Sequence, residues 1–322
     1  MKNKLLAVMA TLGMVASASA VKVNNNLSIN GFIDGSYQLT EAAASKTQEL
    51  GLDEVELNFV VSSGAVSGLV AVDTNLDGTS LSAADNIDIE QAHFTYDLGN
   101  GVAVTLGRYG SALGFEREDP AGLYTFSRAF GGAASAFNLG DIDGIGAVDG
   151  LTVSYSADNF TLAASFEEAA SANLDGDDLD LELSFTYTGL AGLNIGGGYF
   201  YHNESTAIGE TDILNLHVSK QVGKLLLAGE YSQLDTSSNG SATANSEADA
   251  YLILADYDFS DKLGVAARLS SQEQPGEGDY DKFTIAPNYA ITESLGAILE
   301  YSDVDDAGID SEEYAVELTY TF

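Results

Sequence analysis

The last ten residues, Glu313-Tyr314-Ala315-Val316-Glu317-Leu318-Thr319-Tyr320-Thr321-Phe322, alternate without a break: even positions are apolar or aromatic, odd positions small, polar or acidic. Successive side chains of an extended strand point to opposite faces, so a period of two makes one oily face and one wet face. The same rhythm runs through Leu179, Leu181, Leu183, Phe185 and Tyr187, through Val55, Leu57, Phe59 and Val61, and through Phe160, Leu162, Ala164 and Phe166. About sixteen such segments of roughly ten residues follow one another, the length a tilted strand needs to cross a bilayer. They lie near 27–39, 52–62, 65–74, 87–98, 101–109, 145–156, 159–168, 179–188, 193–203, 211–221, 224–234, 249–259, 262–271, 280–290, 294–302 and 312–322.

The connections alternate in length. Short ones fall at Ser62-Ser63-Gly64, Gly99-Asn100, Ala157-Asp158, Gly189 to Gly192, Gly223, Ser260-Asp261 and Thr292-Glu293. Longer polar ones fall at 40–51, 75–86, 110–144, 169–178, 204–210, 235–248, 272–279 and 303–311. Tight turns at one end and long loops at the other are the pattern of an all-β, antiparallel, up-and-down transmembrane barrel. With both termini on the short-turn side the strand number is even, sixteen by this reading, with fourteen or eighteen as alternatives. A secreted β-sandwich or a β-solenoid also alternates. Two groups of aromatics at opposite strand ends favour the barrel, because amphipathic rings gather at the two membrane interfaces. Tyr96, Tyr155, Tyr257, Tyr289 and Tyr320 lie toward the short turns, and Tyr37, Tyr201, Tyr231, Tyr251 and Tyr314 toward the long loops.

Residues 1–20 stand apart. Lys2 and Lys4 precede an apolar run from Leu5 to Val15 and the small residues Ala16-Ser17-Ala18-Ser19-Ala20, the arrangement of a Sec signal peptide cleaved after Ala20. The barrel domain is then 21–322. Nothing after residue 20 offers about 18 uninterrupted apolar residues for a transmembrane helix.

Composition narrows the function classes. With 49 Asp and Glu against 12 Lys and Arg, the formal charge is −37, which excludes nucleic acid as a partner, since that affinity comes from cationic side chains displacing phosphate counterions. Disorder is excluded by 16 Tyr, 14 Phe and a 45% hydrophobic share. The absence of Cys removes disulfides, thiol catalysis and thiolate metal sites.

Strand parity locates the charge. If the apolar series faces lipid, the opposite series lines the interior: Asp34, Glu54, Glu56, Glu167, Asp180, Glu182, Glu230, Asp256, Asp258, Glu300, Glu313 and Glu317, against Lys220, Arg268 and Lys282, with His93, His202 and His217. Sixteen strands enclose more space than side chains fill, and acidic walls favour cations. The alternative is that these carboxylates merely keep the interior wet. Arg108 falls on the lipid face by parity unless a bulge near Gly107 shifts it, and a bulge is expected there so that Arg108 lines the lumen. No catalytic constellation is apparent: the three His fall on three strands, and the chain reads as no enzyme.

The signal peptide, the strand rhythm and the terminal Tyr320-Thr321-Phe322 together resemble Gram-negative outer-membrane porins. More narrowly, Ile89-Glu90-Gln91-Ala92 through Leu106-Gly107-Arg108-Tyr109 to Leu113-Gly114-Phe115-Glu116 resembles the OmpL-like family of β-barrel porins. The Pro-Glu-Phe-Gly-Gly loop motif of general porins is missing. The resemblance implies passive diffusion of small hydrophilic solutes and ions, outer-membrane lipids as surroundings, and Tyr320 and Phe322 as a signal to the outer-membrane assembly machinery. It also allows a homotrimer. In similar porins the third long loop folds inward, and here that loop is 110–144, rich in Phe115, Tyr124, Phe126, Phe130 and Phe137. The implied constriction residues are Phe115, Glu116, Arg117, Glu118, Asp119, Tyr124 and Arg128. Arg117 and Arg128 either oppose wall carboxylates across the passage or act as ion-pair anchors without a part in permeation.

No cofactor is expected. The outer-loop acids Asp175, Asp177 and Asp178, or Asp303, Asp305 and Asp306, offer weak sites for Ca²⁺ or Mg²⁺, with a solvated acidic face as the alternative. Asp73-Thr74-Asn75-Leu76-Asp77-Gly78 begins like a calcium loop, but Ala84 stands where a bidentate Glu is needed. A surface adhesin or structural outer-membrane protein, working through its acidic loops, is the second functional reading.

Overall fold

The computed structural model describes residues 20–43, 45–75, 87–116, 119–131, 148–168, 179–202, 210–237, 246–274 and 278–322. The signal segment 1–19, Arg117, Glu118, Phe137, the acids Asp175, Asp177 and Asp178, and positions 76–84 of the calcium-like loop lie outside the described residues.

A two-residue strand, β1 (Val21–Lys22), folds back on the start of the next strand, pairing Val21 with Ile29. Sixteen long strands follow: β2 (Leu27–Ala42), β3 (Ser45–Ser63), β4 (Val66–Asn75), β5 (Ile87–Gly99), β6 (Val102–Tyr109), β7 (Val148–Ser156), β8 (Phe160–Glu168) and β9 (Leu179–Leu190). The second half comprises β10 (Leu193–His202), β11 (Thr211–Val222), β12 (Leu225–Thr236), β13 (Ser246–Asp258), β14 (Leu263–Gln274), β15 (Gly278–Ala290), β16 (Leu295–Asp306) and β17 (Ile309–Thr321). Each of β2 to β17 pairs antiparallel with its sequence neighbours, and β17 pairs with β2 from Ser311↔Ala42 to Thr321↔Phe32, which closes the sheet. Gly31 and Phe322 exchange both backbone hydrogen bonds at 3.1 Å, so the terminal residue itself completes the seam.

The two faces separate by parity. Along β17, Tyr314, Val316, Leu318 and Tyr320 are exposed on the outside while Ala315 and Glu317 are buried inside. The aromatic girdles form ring pairs between neighbouring strands, Tyr301 with Tyr314 at 5.2 Å near the long-loop side and Tyr155 with Phe160 at 5.8 Å near the short-turn side. An aqueous surface of this apolarity would be untenable; as a lipid face it is what a closed barrel needs, because each long strand is paired on both sides and the sheet has no open edge.

Three expectations are corrected. The long loops expected at 40–51 and 303–311 are strand: β2 and β3 pair out to Ala42↔Ser45, and β16 and β17 out to Asp306↔Ile309. Apolar alternation is lost there although the ladders continue, and the second hairpin turns on Ala307 and Gly308, both with positive φ (54° and 82°), the two-residue turn that suits strand twist. Asp303 and Asp305 therefore share one face and Asp306 the other, so the three do not converge on a cation. Arg108 does not line the lumen. Gly107 has φ 133° yet pairs in register with His93 and Gly150, so no parity shift occurs, and Arg108 stays outside, 3.9 Å from Asp149. Lys220 also points outward by parity, and its ammonium donates to the Ala191 carbonyl at 2.6 Å at the short-turn rim, keeping its charge off the lipid.

Ile253 is 59% exposed on the outer face of β13, between Tyr251 and Tyr257. Ile253→Arg should cost about 2–4 kcal/mol of folding free energy in lipid vesicles, measured by denaturant titration. A cost near zero would place this face out of contact with lipid.

Candidate functional site

Fully buried apolar side chains are scarce inside a barrel of this kind, and where they cluster they mark something that lies upon them. Ala228 on β12 and Ala248, Ala250, Leu252 and Leu254 on β13 all face inward and are buried, together with Ala129 and Phe130 of the segment following β6. Phe115 and Tyr124 pack against the same cluster. A second cluster joins Leu113 to Phe200 and Ile213. The described parts of the connection after β6, residues 110–116 and 119–131, thus lie inside the barrel, with Leu113, Phe115, Tyr124, Ala129 and Phe130 packed against β10 to β13. Among its described residues the one regular element is a single 3-10 turn, Pro120–Gly122. Room for it is made at Gly198, where a Cβ would stand 2.7 Å from Leu113 Cδ2 and 1.9 Å from the Leu183 carbonyl oxygen.

Polar anchors fix this strap strand by strand. On β9, Glu182 accepts from the Ser111 hydroxyl and from the Ala112 amide at 3.0 Å. On β11, Asn215 Oδ1 accepts from the Gly114 amide at 3.2 Å, and on β12, Glu230 accepts from the Phe115 amide at 3.0 Å. Asn215 in turn donates to Glu230 at 2.6 Å and to Ser232 at 2.9 Å, so the anchors are themselves held. On β16, Glu300 accepts from the Ser127 amide at 3.1 Å and from its hydroxyl. A backbone segment that leaves the sheet loses its ladder bonds, and each buried amide then needs a partner. Here wall carboxylates supply them.

Arg268 on β14 is the centre of the arrangement. Its guanidinium, fully buried, donates to Glu116, to Thr125 Oγ1 at 2.9 Å, to the Ser127 carbonyl at 2.8 Å and to the Arg128 carbonyl at 2.6 Å. Glu116 also accepts from the Ala129 amide at 3.0 Å, so one carboxylate ties both arms of the strap to one arginine. Ser270, two residues along the same inner face, donates to the Ala129 carbonyl at 2.6 Å. The Phe115 and Tyr124 rings stack at 5.9 Å and 2°. Burial, with the carboxylates of Asp256 and Glu116 nearby, pushes the Tyr124 hydroxyl above its usual range, so it stays neutral.

The strap also crosses the lumen. Gly114 is bonded to β11, whereas the Asp119 carboxyl lies with those of Glu54 and Glu56 on β3, their oxygens within 4.8 Å of one another. In a ring of sixteen strands β3 and β11 are eight places apart, on opposite walls. Five residues reach at most about 17 Å, and the Asn215 side chain at one end and the carboxyl groups at the other add their own lengths to the distance between the two walls.

The remaining candidates sit on the inner wall at different levels. His202 on β10 contacts both Asp180 oxygens on β9 at 2.9 Å, and His217 on β11 contacts Asn215 at 3.2 Å. His93 is buried edge-on to Tyr109, with ring centroids 6.3 Å apart. Asp34 lies opposite Thr319 across the closing seam and accepts from its hydroxyl at 2.9 Å, and Glu317, opposite Ser36, is its diagonal neighbour on the same inner face. Glu167 and Arg268 are buried on the inner face, and Lys282 on β15 donates to Glu313 at 3.0 Å. The three histidines are brought to no common site. Asn215, Thr125, Ser127 and Ser270 were not among the residues singled out from sequence, since a small polar residue facing inward is ordinary for a wet wall. The stretch Ala248-Asp249-Ala250-Tyr251-Leu252-Ile253-Leu254, apolar on both faces toward its end, did carry a signal that something covers its inner side.

Arg268→Met should release the strap. Its amides at Phe115, Ser127 and Ala129 are expected to exchange with solvent at least about 100-fold faster, because breaking a buried ion pair from one side costs about 3–5 kcal/mol. Unchanged exchange would show that the apolar seat alone holds the segment.

The Gram-negative porin family matches residues 5–321 of the chain. No curated protein matches it at a significant level. Among solved structures, OmpF of Salmonella typhi, in a complex with daunomycin, superposes with a TM-score of 0.71 at 13% identity, covering 94% of this chain and 100% of that one. The outer-membrane channel DcaP of Acinetobacter baumannii gives 0.68 at 12% identity, covering 96% and 99%. An anion-selective porin of Comamonas acidovorans gives 0.67 at 13% identity, covering 92% and 99%. The family match over nearly the full length, on a closed sixteen-strand barrel, establishes that the chain belongs to the Gram-negative porin family of outer-membrane channels.

Proposed function

We propose that this barrel passes small hydrophilic solutes by passive diffusion, prefers cations, and is narrowed by the strap carrying Phe115, Glu116, Asp119, Tyr124 and Arg128. The observation that carries the reading is the carboxyl triad Glu54, Glu56 and Asp119, which brings the loop to the opposite wall. Three carboxyl groups at that spacing repel one another unless protons or cations lie among them, so a passing cation is stabilised there and an anion is not. The wall acids Asp34, Glu167, Asp180, Glu182, Glu230, Asp256, Glu300 and Glu317 extend the same sign along the passage.

Fold does not set that sign. The Comamonas acidovorans neighbour is described as anion-selective on a similar barrel, so preference has to come from the lining. In this reading residues 1–20 are the export signal, cleaved after Ala20, and Tyr320 and Phe322 at the closing seam serve the assembly machinery. A homotrimer is also part of the reading, supported by the trimer form recorded for OmpT of Vibrio cholerae. No catalytic role is assigned, because among the described residues no nucleophile, acid and base are gathered along the passage.

The test is the reversal potential across a KCl gradient in planar bilayers. The sign should report K⁺ over Cl⁻, and the double variant Glu56→Gln, Asp119→Asn should move it toward zero. A potential favouring Cl⁻ in the wild type would contradict the reading.

A further inference from the structure

The charges of the outer face gather at its two edges, and the edges differ in sign. At the long-loop edge acids cap the outward rings: the Tyr201 hydroxyl donates to Glu210 at 3.3 Å, Tyr314 to Glu312 at 2.9 Å, and Tyr231 to Asp249. Lys46 and Arg108, the bases described there, each face an acid, Glu41 and Asp149.

At the short-turn edge the pattern reverses. Lys220, near the end of β11, donates to the Ala191 carbonyl at 2.6 Å, and Lys224, in the β11–β12 turn, to the Phe259 carbonyl at 3.0 Å. Lys262, just before β14, donates to the Ile291 carbonyl at 3.3 Å, with its ammonium 6.0 Å from the centre of the Tyr289 ring. Each acceptor belongs to a neighbouring turn, so the three ammonium groups are held along four consecutive turns between β9 and β16. Backbone bonds from Gln221 to Gly192 at 2.7 Å, Asp258 to Lys224 at 3.0 Å and Ala290 to Lys262 at 2.8 Å lace those turns into one rim.

A lysine that needs only to keep its charge out of hydrocarbon can swing into water. These three are fixed at the rim instead. An ammonium has three donors, and a carbonyl takes one of them without bringing any neutralising charge. Among the described residues none of the three lysines forms an ion pair. Turns 190–193 and 222–225 contain no acid; Asp258 follows Asp256 on the inner series, and Asp261 and Glu293 belong to the two turns beyond. Val222, Phe259, Leu263 and Tyr289, all exposed, lie beside the lysines, so the ammonium groups stand where acyl chains end and headgroups begin.

We propose that Lys220, Lys224 and Lys262 form a docking surface for anionic phospholipids of the leaflet on the short-turn side. Phosphate oxygens accept the remaining lysine donors, and the acyl chains lie on Val222, Phe259 and Leu263. The acidic opposite edge repels the same headgroups, so the contact distinguishes the two leaflets.

The refolded barrel in an uncharged detergent is titrated with dioleoyl phosphatidylglycerol or dioleoyl phosphatidylcholine, and bound lipid is counted by native mass spectrometry. The anionic lipid should be retained at concentrations at least about fivefold lower than the zwitterionic one. Lys220→Gln, Lys224→Gln and Lys262→Gln should each narrow that gap, and the triple variant should close it, while exchange of all three to Arg keeps it. Arg108→Gln, at the opposite edge, should leave it unchanged. Equal retention of the two lipids by the wild type overturns the proposal, as does a gap undiminished in all three single variants or one that closes in Arg108→Gln. An excess of glycerol 1-phosphate, the headgroup without chains, should not displace the lipid; displacement would mark a site for a soluble anion and overturn the lipid assignment.

Discussion

In a bilayer core no water is available to a backbone amide or carbonyl, so a chain that crosses as strands has to pair all of them with itself. The ring is closed by β17 against β2, down to the exchange between Gly31 and Phe322. Once the sheet is closed, parity does the rest: one series of side chains meets lipid, and the other encloses space that sixteen strands leave too wide to fill. The unusual balance of strong acidity and high hydrophobicity follows from that division, with the two properties assigned to opposite sides of one wall.

The strap between β6 and β7 lives under a different rule. It sits inside the barrel without a sheet partner, so its backbone depends on side chains that the wall supplies. Glu182, Asn215, Glu230, Arg268, Ser270 and Glu300 take successive loop groups from five strands, while Ala248, Ala250, Leu252 and Leu254 give its rings a dry seat. Several acids that parity assigns to a selective lining are thus structural as well. Glu182, Glu230 and Glu300 hold the loop in place, whereas Glu54 and Glu56 face its tip. Loop docking draws on the same series of carboxylates as the proposed cation preference, divided by which wall the strap lies on.

Much of this was legible in the sequence, for a physical reason. A period of two is enforced by lipid on one side, so strand number, order and most inward residues follow from alternation alone. Where lipid no longer imposes it, beyond the outer interface, the pattern of polar residues does not distinguish a loop from an extended hairpin, and the strands at 40–51 and 303–311 read as loops. Arg108 failed for a related reason. A charge at the outer end of a strand can face outward at the interface, pairing with Asp149, so no bulge is needed to bring it in. The inward position of the strap was suggested by its aromatic content and by resemblance, but its anchors are polar and charged residues like the rest of the inner wall, and their partners lie 70 to 173 residues away in the chain. Local pattern carries no information at that separation.

The central claim is that the strap spans the lumen from β11 to β3. The chain has no cysteine, so the double variant Glu56→Cys, Asp119→Cys places two thiols at the far end of that span and nowhere else. With single barrels in a planar bilayer, Cd²⁺ should lower the current stepwise in the double variant and leave each single variant unchanged, because only facing thiols bridge the metal. A double variant as indifferent to Cd²⁺ as the singles would mean that Asp119 does not stand against β3, and that the strap does not cross the passage.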